Sequence, residues 1–265
     1  MPAGSPRSVP ALLQRLVADD PTAPRLTFYG ASYERSGERV ELSARVLSTW
    51  VAKTANLLEE EFEVGPGSVV ALDLPAHWRT LVFQLAAWST GAAVVTGAGG
   101  PADVLVSADA RVLAAPARAE RIAVSLAPLA TSFGAEVPDG VLDYARVVTG
   151  YGDTHVPLAE PGPEDPALAL PGGAGGTGGG TGGGTLTHAG LLAAAAEAGA
   201  AWPVGVRLLT DAGPADVVRG PLAAWARTGS LVLTPDLAGL PGGATGRIAA
   251  QERTSAVLAV QPPGR

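Results

Sequence analysis

Residues 172–184 read GGAGGTGGGTGGG, and Thr185, Leu186, Thr187 and His188 follow. Glycine lets backbone N–H groups turn inward on a single anion, and a helix start behind such a loop adds a partial positive charge. The run has the raw composition of a phosphate cradle. Its candidate contacts are Thr177, Gly178, Gly179, Thr181, Gly183, Thr185 and His188, and the ligand would be ATP or AMP, with Mg2+ only where ATP binds. No lysine or arginine stands within or beside the run. The competing reading is a flexible tether, because ordering such a segment costs roughly 1–2 kcal/mol per residue. For His188 a surface or capping role competes with a phosphate contact.

Other chemistry finds little support. GxGxxG can be spelled in several registers of the run, so that fingerprint carries almost no information. A Walker loop needs Gly-Lys-Ser/Thr, and Lys53, the only lysine, lies far upstream. No GxSxG elbow is present to supply a hydrolase nucleophile. With no cysteine there is no thiol nucleophile, and His77, His155 and His188 are too scattered to suggest a metal cluster. No catalytic residue is assigned. His77 reads as a helix-start residue, the five tryptophans as packing between helices and sheets, and Glu59–Glu61 with Glu63 as a solvated helix face.

The chain has 265 residues, 47% of them hydrophobic, and a net charge of −7. That length holds one large or two small domains, and the acidic balance argues against a nucleic-acid partner. The first twenty residues lack an apolar region after a basic start, so no signal peptide is read and a cytoplasmic location is expected. The uncharged stretch 80–102 splits into a helical half and a strand-like half, and is read as a buried pair rather than a membrane span.

Periodicity supplies the elements that must position the run. A helix is expected over 8–19, then a hairpin from 25–30 and 39–42. Ser43 caps a helix whose apolar positions include Val46, Leu47, Trp50, Val51, Leu57 and Leu58. Strand 68–74, helix 77–90 and strand 92–96 follow. Further strands are expected at 102–108 and 121–126, and a helix at 141–149. The proline- and glycine-rich stretch 151–165 reads as a connection. The same order then returns: a helix opening at Leu186-Thr187-His188, strand 206–210, helix 214–227 and strand 230–234. The words recur as well, Leu85-Ala86-Ala87-Trp88 with Gly91 and Leu222-Ala223-Ala224-Trp225 with Gly229. Two copies of one β–α–β unit account for this, and chance likeness in an alanine-rich composition is the alternative. The fold class is α/β, with two related, mostly parallel β-sheet units flanked by helices. The chain divides into 1–150, a first α/β subdomain; 151–185, the connection with the run; and 186–265, a second subdomain.

Leu26-Thr27-Phe28-Tyr29, Glu41-Leu42-Ser43, Gly65 through Leu72, and Leu85 through Val95 together resemble the opening of the AMP-forming acyl-CoA synthetases. Pro166 through Leu170, the run and Leu186-Thr187-His188 are similar to that superfamily's strand, phosphate loop and "LTH" helix start. The resemblance covers roughly 22–235. It implies an adenylate-forming N-terminal region that handles ATP or AMP and an acyl ligand. Two departures qualify it. The family's Pro-Lys pair falls on Thr181 and Gly182. Its aromatic-Gly-x-Thr-Glu motif, ribose-binding Asp and C-terminal lid are not found after Thr185, and Tyr151-Gly152-Asp153-Thr154-His155 lies on the wrong side of the run and reads as linker.

The resemblance with its departures implies a non-catalytic nucleotide- or acyl-binding or interaction protein. The alternatives are an adenylate-forming ligase completed by a partner protein that supplies the lid, and a structural protein in which the run is only a tether.

Overall fold

A computed structural model describes residues 6–30, 38–134, 136–169, 184–240 and 243–260. Thr177, Gly178, Gly179, Thr181 and Gly183 lie outside the described residues. The chain opens with α1 (Val9–Asp19), capped by Ser8, and the hairpin β1 (Pro24–Tyr29) and β2 (Arg39–Ser43). Helix α2 (Ala44–Phe62), β3 (Val69–Asp73), α3 (Trp78–Thr90), β4 (Ala93–Thr96) and β5 (Val104–Ser107) follow. Next come α4 (Ala110–Ala114), β6 (Glu120–Ala123), β7 (Val141–Asp143) and α5 (Tyr144–Val147). A second hairpin, β8 (Pro166–Ala169) and β9 (Thr185–Thr187), leads into α6 (His188–Ala198) and β10 (Arg207–Thr210). The chain continues with α7 (Ala223–Ala226), β11 (Ser230–Leu233), α8 (Ala244–Gln251) and β12 (Ala256–Leu258).

These strands form two mostly parallel sheets, β12-β10-β11-β1-β2 and β7-β6-β5-β3-β4-β8-β9. Sheet membership does not follow chain order. The first hairpin pairs with β11 from the far end of the chain, and the second pairs with β4. Each hairpin completes the sheet that the other repeat's β–α–β unit begins.

The two repeats agree in detail. Both hairpins shift register at one place: Pro24 opposes Ser43 and Leu26 opposes Leu42, while Pro166 opposes Thr187 and Leu168 opposes Leu186. Ser43 Oγ accepts from the Val46 N–H at 3.2 Å, and Thr187 Oγ1 accepts from the Gly190 N–H at 3.1 Å, so each second strand ends as the cap of the next helix. Behind each cap the first helical amides turn back on the chain entering the hairpin. Ala44 and Arg45 donate to the carbonyls of Ala23 and Pro21, and His188 and Ala189 donate to those of Asp165 and Pro163. The recurring tryptophans have equivalent jobs. Trp88 Nε1 donates to the Ala167 carbonyl at 2.6 Å, and Trp225 Nε1 to the Arg25 carbonyl at 3.1 Å, both fully inside. Each indole reaches past its own strand to the hairpin borrowed from the other repeat.

Three elements differ from the sequence reading. Residues 141–149 begin as a strand, because Val141 and Leu142 pair with β6 and Asp143 caps the short helix with its side chain on the Ala145 N–H. Residues 214–227 are not one α-helix. Pro221 has no N–H to give, so the segment runs as a 3-10 turn (Pro214–Asp216), a π-type turn (Val218–Leu222) and then α7. The Leu222 N–H reaches back five residues to Val217. Residues 185–187 form a strand before the helix. Among the described residues, no helix is long and apolar enough to cross a membrane.

A polar network ties the five-stranded sheet together. Glu252, nearly buried, accepts from the Tyr29 hydroxyl, from Arg39 and from Arg207, and Arg207 also donates to Thr27 Oγ1 at 3.0 Å. Burial alone would raise the Glu252 carboxyl, but the donors from Arg39, Tyr29 and Arg207 outweigh it and hold the group at about 2. Burial, and then the carboxylate, push Tyr29 up to about 12.

Two outcomes are expected. Trp88→Phe and Trp225→Phe each leave a carbonyl unpaired and lower stability by about 1–3 kcal/mol in urea titrations. A loss at one site and none at the other contradicts the equivalence of the repeats. Because the folded Glu252 lies below its ordinary 4.5, its stabilisation is complete above that value and lost as pH falls toward 2. Glu252→Gln is therefore less stable than wild type at pH 7, and the gap closes as the buffer is taken down to pH 3. A gap independent of pH contradicts this assignment.

Candidate functional site

Strands β5, β3, β4 and β8 lie side by side and parallel, so their carboxyl ends share one edge of the seven-stranded sheet. From β3 the chain crosses by α3 to β4 on one side, while β5 adds on the other. Crevices at such switch points are where open parallel sheets take ligands. Here the crevice is a cleft of about 610 Å³. Asp73, Leu74 and Pro75 line it from the end of β3, Thr96 and Gly97 from β4, Asp109 from β5, and Pro214 from the second repeat.

The carboxylates are fixed by their neighbours. Asp73 Oδ2 accepts from Ser107 Oγ at 2.8 Å, and Ser107 Oγ in turn accepts from the Asp109 N–H at 3.0 Å. Asp109 Oδ1 caps α4 by accepting from the Arg111 N–H at 2.8 Å. No lysine, arginine or histidine among the described residues lines the cleft. Among the described residues no group of His, Asp and Glu is arranged to hold a metal ion.

The glycine run is rooted at the same edge. It joins β8 to β9, where Ala169 opposes Thr185, and Val95 of β4 is the parallel partner of Ala169. With strands ~4.8 Å apart, the end of β8 lies about 10 Å from β3. Topology thus gathers Asp73, Thr96, Asp109 and the root of the run, residues far apart in sequence. Thr185 is exposed at that root.

The run does not feed a helix directly, as the sequence reading supposed. Strand β9 intervenes, and the amides of His188, Ala189 and Gly190 are taken by Asp165, Pro163 and Thr187. The partial charge of the α6 terminus is spent within the protein. Of the roles weighed for His188, the structure shows the capping one. It is completely buried rather than on the surface, and its Nδ1 accepts from the Val9 N–H at 3.4 Å, closing the start of α1. Burial lowers its pKa, so the ring stays neutral and acts as an acceptor.

The other singled-out residues are structural. The Lys53 ammonium donates to the carbonyls of Tyr151 (2.5 Å) and Thr149 (3.3 Å) and pairs with Asp153 at 2.7 Å, so the only lysine pins a loop to α2. Asn56 Nδ2 donates to the carbonyls of Gly152 and Thr154, which holds the Tyr151–His155 stretch in place. His77 is the helix-start residue expected, its Nδ1 accepting from the Arg79 N–H at 3.1 Å. It is buried against Phe28 and Trp78, and burial together with the Arg79 charge pushes its pKa down to about 3. The carboxylates of the cleft were not read from the sequence. A lone aspartate after an apolar strand was the only signal, and Asp73 and Asp109 each had one.

No family model matches the chain. A Mycobacterium tuberculosis (strain H37Rv) protein, described by a family designation without an activity, is 41% identical over 160 residues, 58% of this chain and 64% of that protein. A Brucella canis acyl-CoA synthetase superposes at TM-score 0.74 and 19% identity, over 97% of this chain and 48% of that one. The Streptomyces lividans acetoacetyl-CoA synthetase gives 0.72 and 18%, over 95% and 42%. The Klebsiella oxytoca NpsA N-terminal subdomain, solved with 3-hydroxyanthranilyl-AMSN, gives 0.66 and 18%, over 97% and 62%. The chain spans less than half the length of these two synthetases. It has the α/β fold of acyl-CoA synthetases and adenylation domains, with both parallel sheets in place.

Proposed function

We propose that this protein binds a nucleotide or acyl ligand at the carboxyl edge of the seven-stranded sheet and does not itself activate it. The observation that carries this reading is the charge of the edge. Asp73 and Asp109 line the cleft, and among the described residues no lysine, arginine or histidine lines it with them. The run rooted there has Gly182 at the position where the resemblance puts a lysine. A lysine about 4 Å from a phosphate contributes on the order of 4 kcal/mol at an effective dielectric of about 20, and a carboxylate opposes binding by a similar amount. Such an edge disfavours a triphosphate and the charge that develops during adenylyl transfer.

Main-chain N–H groups of Thr177, Gly178, Gly179, Thr181 and Gly183 are the proposed donors to the ligand, with Thr185 at the root. His188, being buried, is left out. A Klebsiella N-terminal subdomain of this fold was solved with 3-hydroxyanthranilyl-AMSN, which is the ground for proposing an acyl-nucleotide as the ligand class. The retained order of hairpin, strand, glycine run and Leu186-Thr187-His188 motivates a second reading, an adenylate-forming ligase completed by a partner chain that supplies the lid.

Calorimetry with AMP, ATP and an acyl-AMSN tests the first reading. The acyl-AMSN is expected to bind more tightly than ATP, by up to about a thousandfold if a charge contact of about 4 kcal/mol is lost, and Gly182→Lys to narrow that gap. Carboxylate-dependent pyrophosphate release by the purified chain overturns it. Release only on adding a co-purifying protein establishes the second reading. Unchanged binding after deletion of 172–184 leaves the run as a tether.

A further inference from the structure

We infer that a cavity on the helical side of the molecule, beneath residues 153–161, is a second binding site, for a short-chain organic amine. The cavity has a volume of about 220 Å³ and lies between α1, α2, the last turn of α3 and the 153–161 segment. It shares no lining residue with the cleft at the sheet edge. Its base is apolar: Leu13, Val51 and Ala52 are buried there. Its mouth is polar and open, with Gln14, Thr154 and Glu160 exposed.

The wall is built in advance. Lys53 and Asn56 of α2 hold residues 149–154 through four backbone carbonyls, and Asp153 pairs with Lys53. The His155 side chain, only 6% exposed, lies against Glu59, whose Oε2 is 3.1 Å from Nε2. A ligand therefore meets a standing pocket rather than one it must order.

The chemistry of the lining selects the ligand. Asp153, His155 and Glu160 line the cavity, and among the described residues no lysine or arginine does. Lys53 neutralises Asp153, which leaves Glu160 as the charge at the mouth. Behind His155, the second carboxylate oxygen of Glu59 is buried without a partner. Ser89 Oγ gives its proton to the Leu85 carbonyl at 2.8 Å, so toward the cavity it can only accept. Acceptors and negative charge dominate the mouth, and an ammonium brings three donors and a positive charge. The volume equals about seven water molecules at ~30 Å³ each, room for an alkyl tail of a few carbons over Leu13 and Val51.

The test uses the full chain, 15N-labelled, titrated with pentylamine, pentanoate and pentanol. Pentylamine is expected to shift the amide signals of Ser48, Ser89 and His155 saturably, with pentanoate about two- to fivefold weaker, the range of an exposed ion pair. Glu160→Gln should weaken pentylamine about two- to fivefold, and Gln14→Glu, which adds a carboxylate at the rim, should strengthen it by a similar factor. Equal binding of amine and carboxylate, shifts confined to other parts of the chain, or indifference to both substitutions would overturn the inference. Both substitutions are at exposed positions, and unchanged spectra away from the cavity verify the fold.

Discussion

An indole N–H buried in a protein interior has to find an acceptor, and in this fold both such groups find one on a strand that belongs to the other half of the chain. Trp88 and Trp225 mark the seams where each sheet accepts the hairpin of the opposite repeat. The rest of the architecture follows. A parallel β–α–β unit alone would end in an open edge at β4 or β11. Instead β8 lies against β4 and β1 against β11, and the antiparallel partners β9 and β2 finish each sheet. The register shifts at Pro24 and Pro166 and the caps at Ser43 and Thr187 make the two closures alike.

This exchange also creates the candidate site. Because β8 must lie beside β4, the glycine-rich connection leaves the sheet at the edge that holds Asp73, Thr96 and Asp109. The second repeat reaches the same place from the other side. Pro214, in the loop after β10, lines the cleft, and its carbonyl accepts from Gln84 Nε2 of α3 at 2.9 Å. Position is thus well defined at this edge, and the described charged side chains that line it are Asp73 and Asp109. Carboxylates are present, and Lys53 is committed to a loop on α2. The helix terminus that would have lent its dipole is closed by Thr187, Asp165 and Pro163.

Much of this was legible in the residues. Ser43 and His77 as helix-start residues, the apolar strands and the recurring Leu-Ala-Ala-Trp words depend on local pattern, and the structure has them. The exchange of hairpins was not legible. Strand pairing across some two hundred residues leaves no periodic trace, so the first hairpin gave no sign that its neighbour was β11. Pro221 signalled trouble within a helical pattern but not that a π-type turn would absorb it. For His188 a surface or capping role was read, but a single histidine at a helix start carries no mark of the α1 terminus that it caps and that buries it. Glu252 lies in a stretch with no recognised motif, and only the fold brings Tyr29, Arg39 and Arg207 around it.

The most direct test of this account cuts the chain between Leu158 and Ala159, both exposed, and follows tryptophan emission and cooperative unfolding of the two fragments apart and mixed. If each sheet depends on the other repeat's hairpin, neither fragment alone buries its recurring indole, Trp88 or Trp225, in a cooperative fold. The equimolar mixture then recovers blue-shifted emission and a single unfolding transition. Two fragments that each fold independently, with nothing gained on mixing, would contradict it.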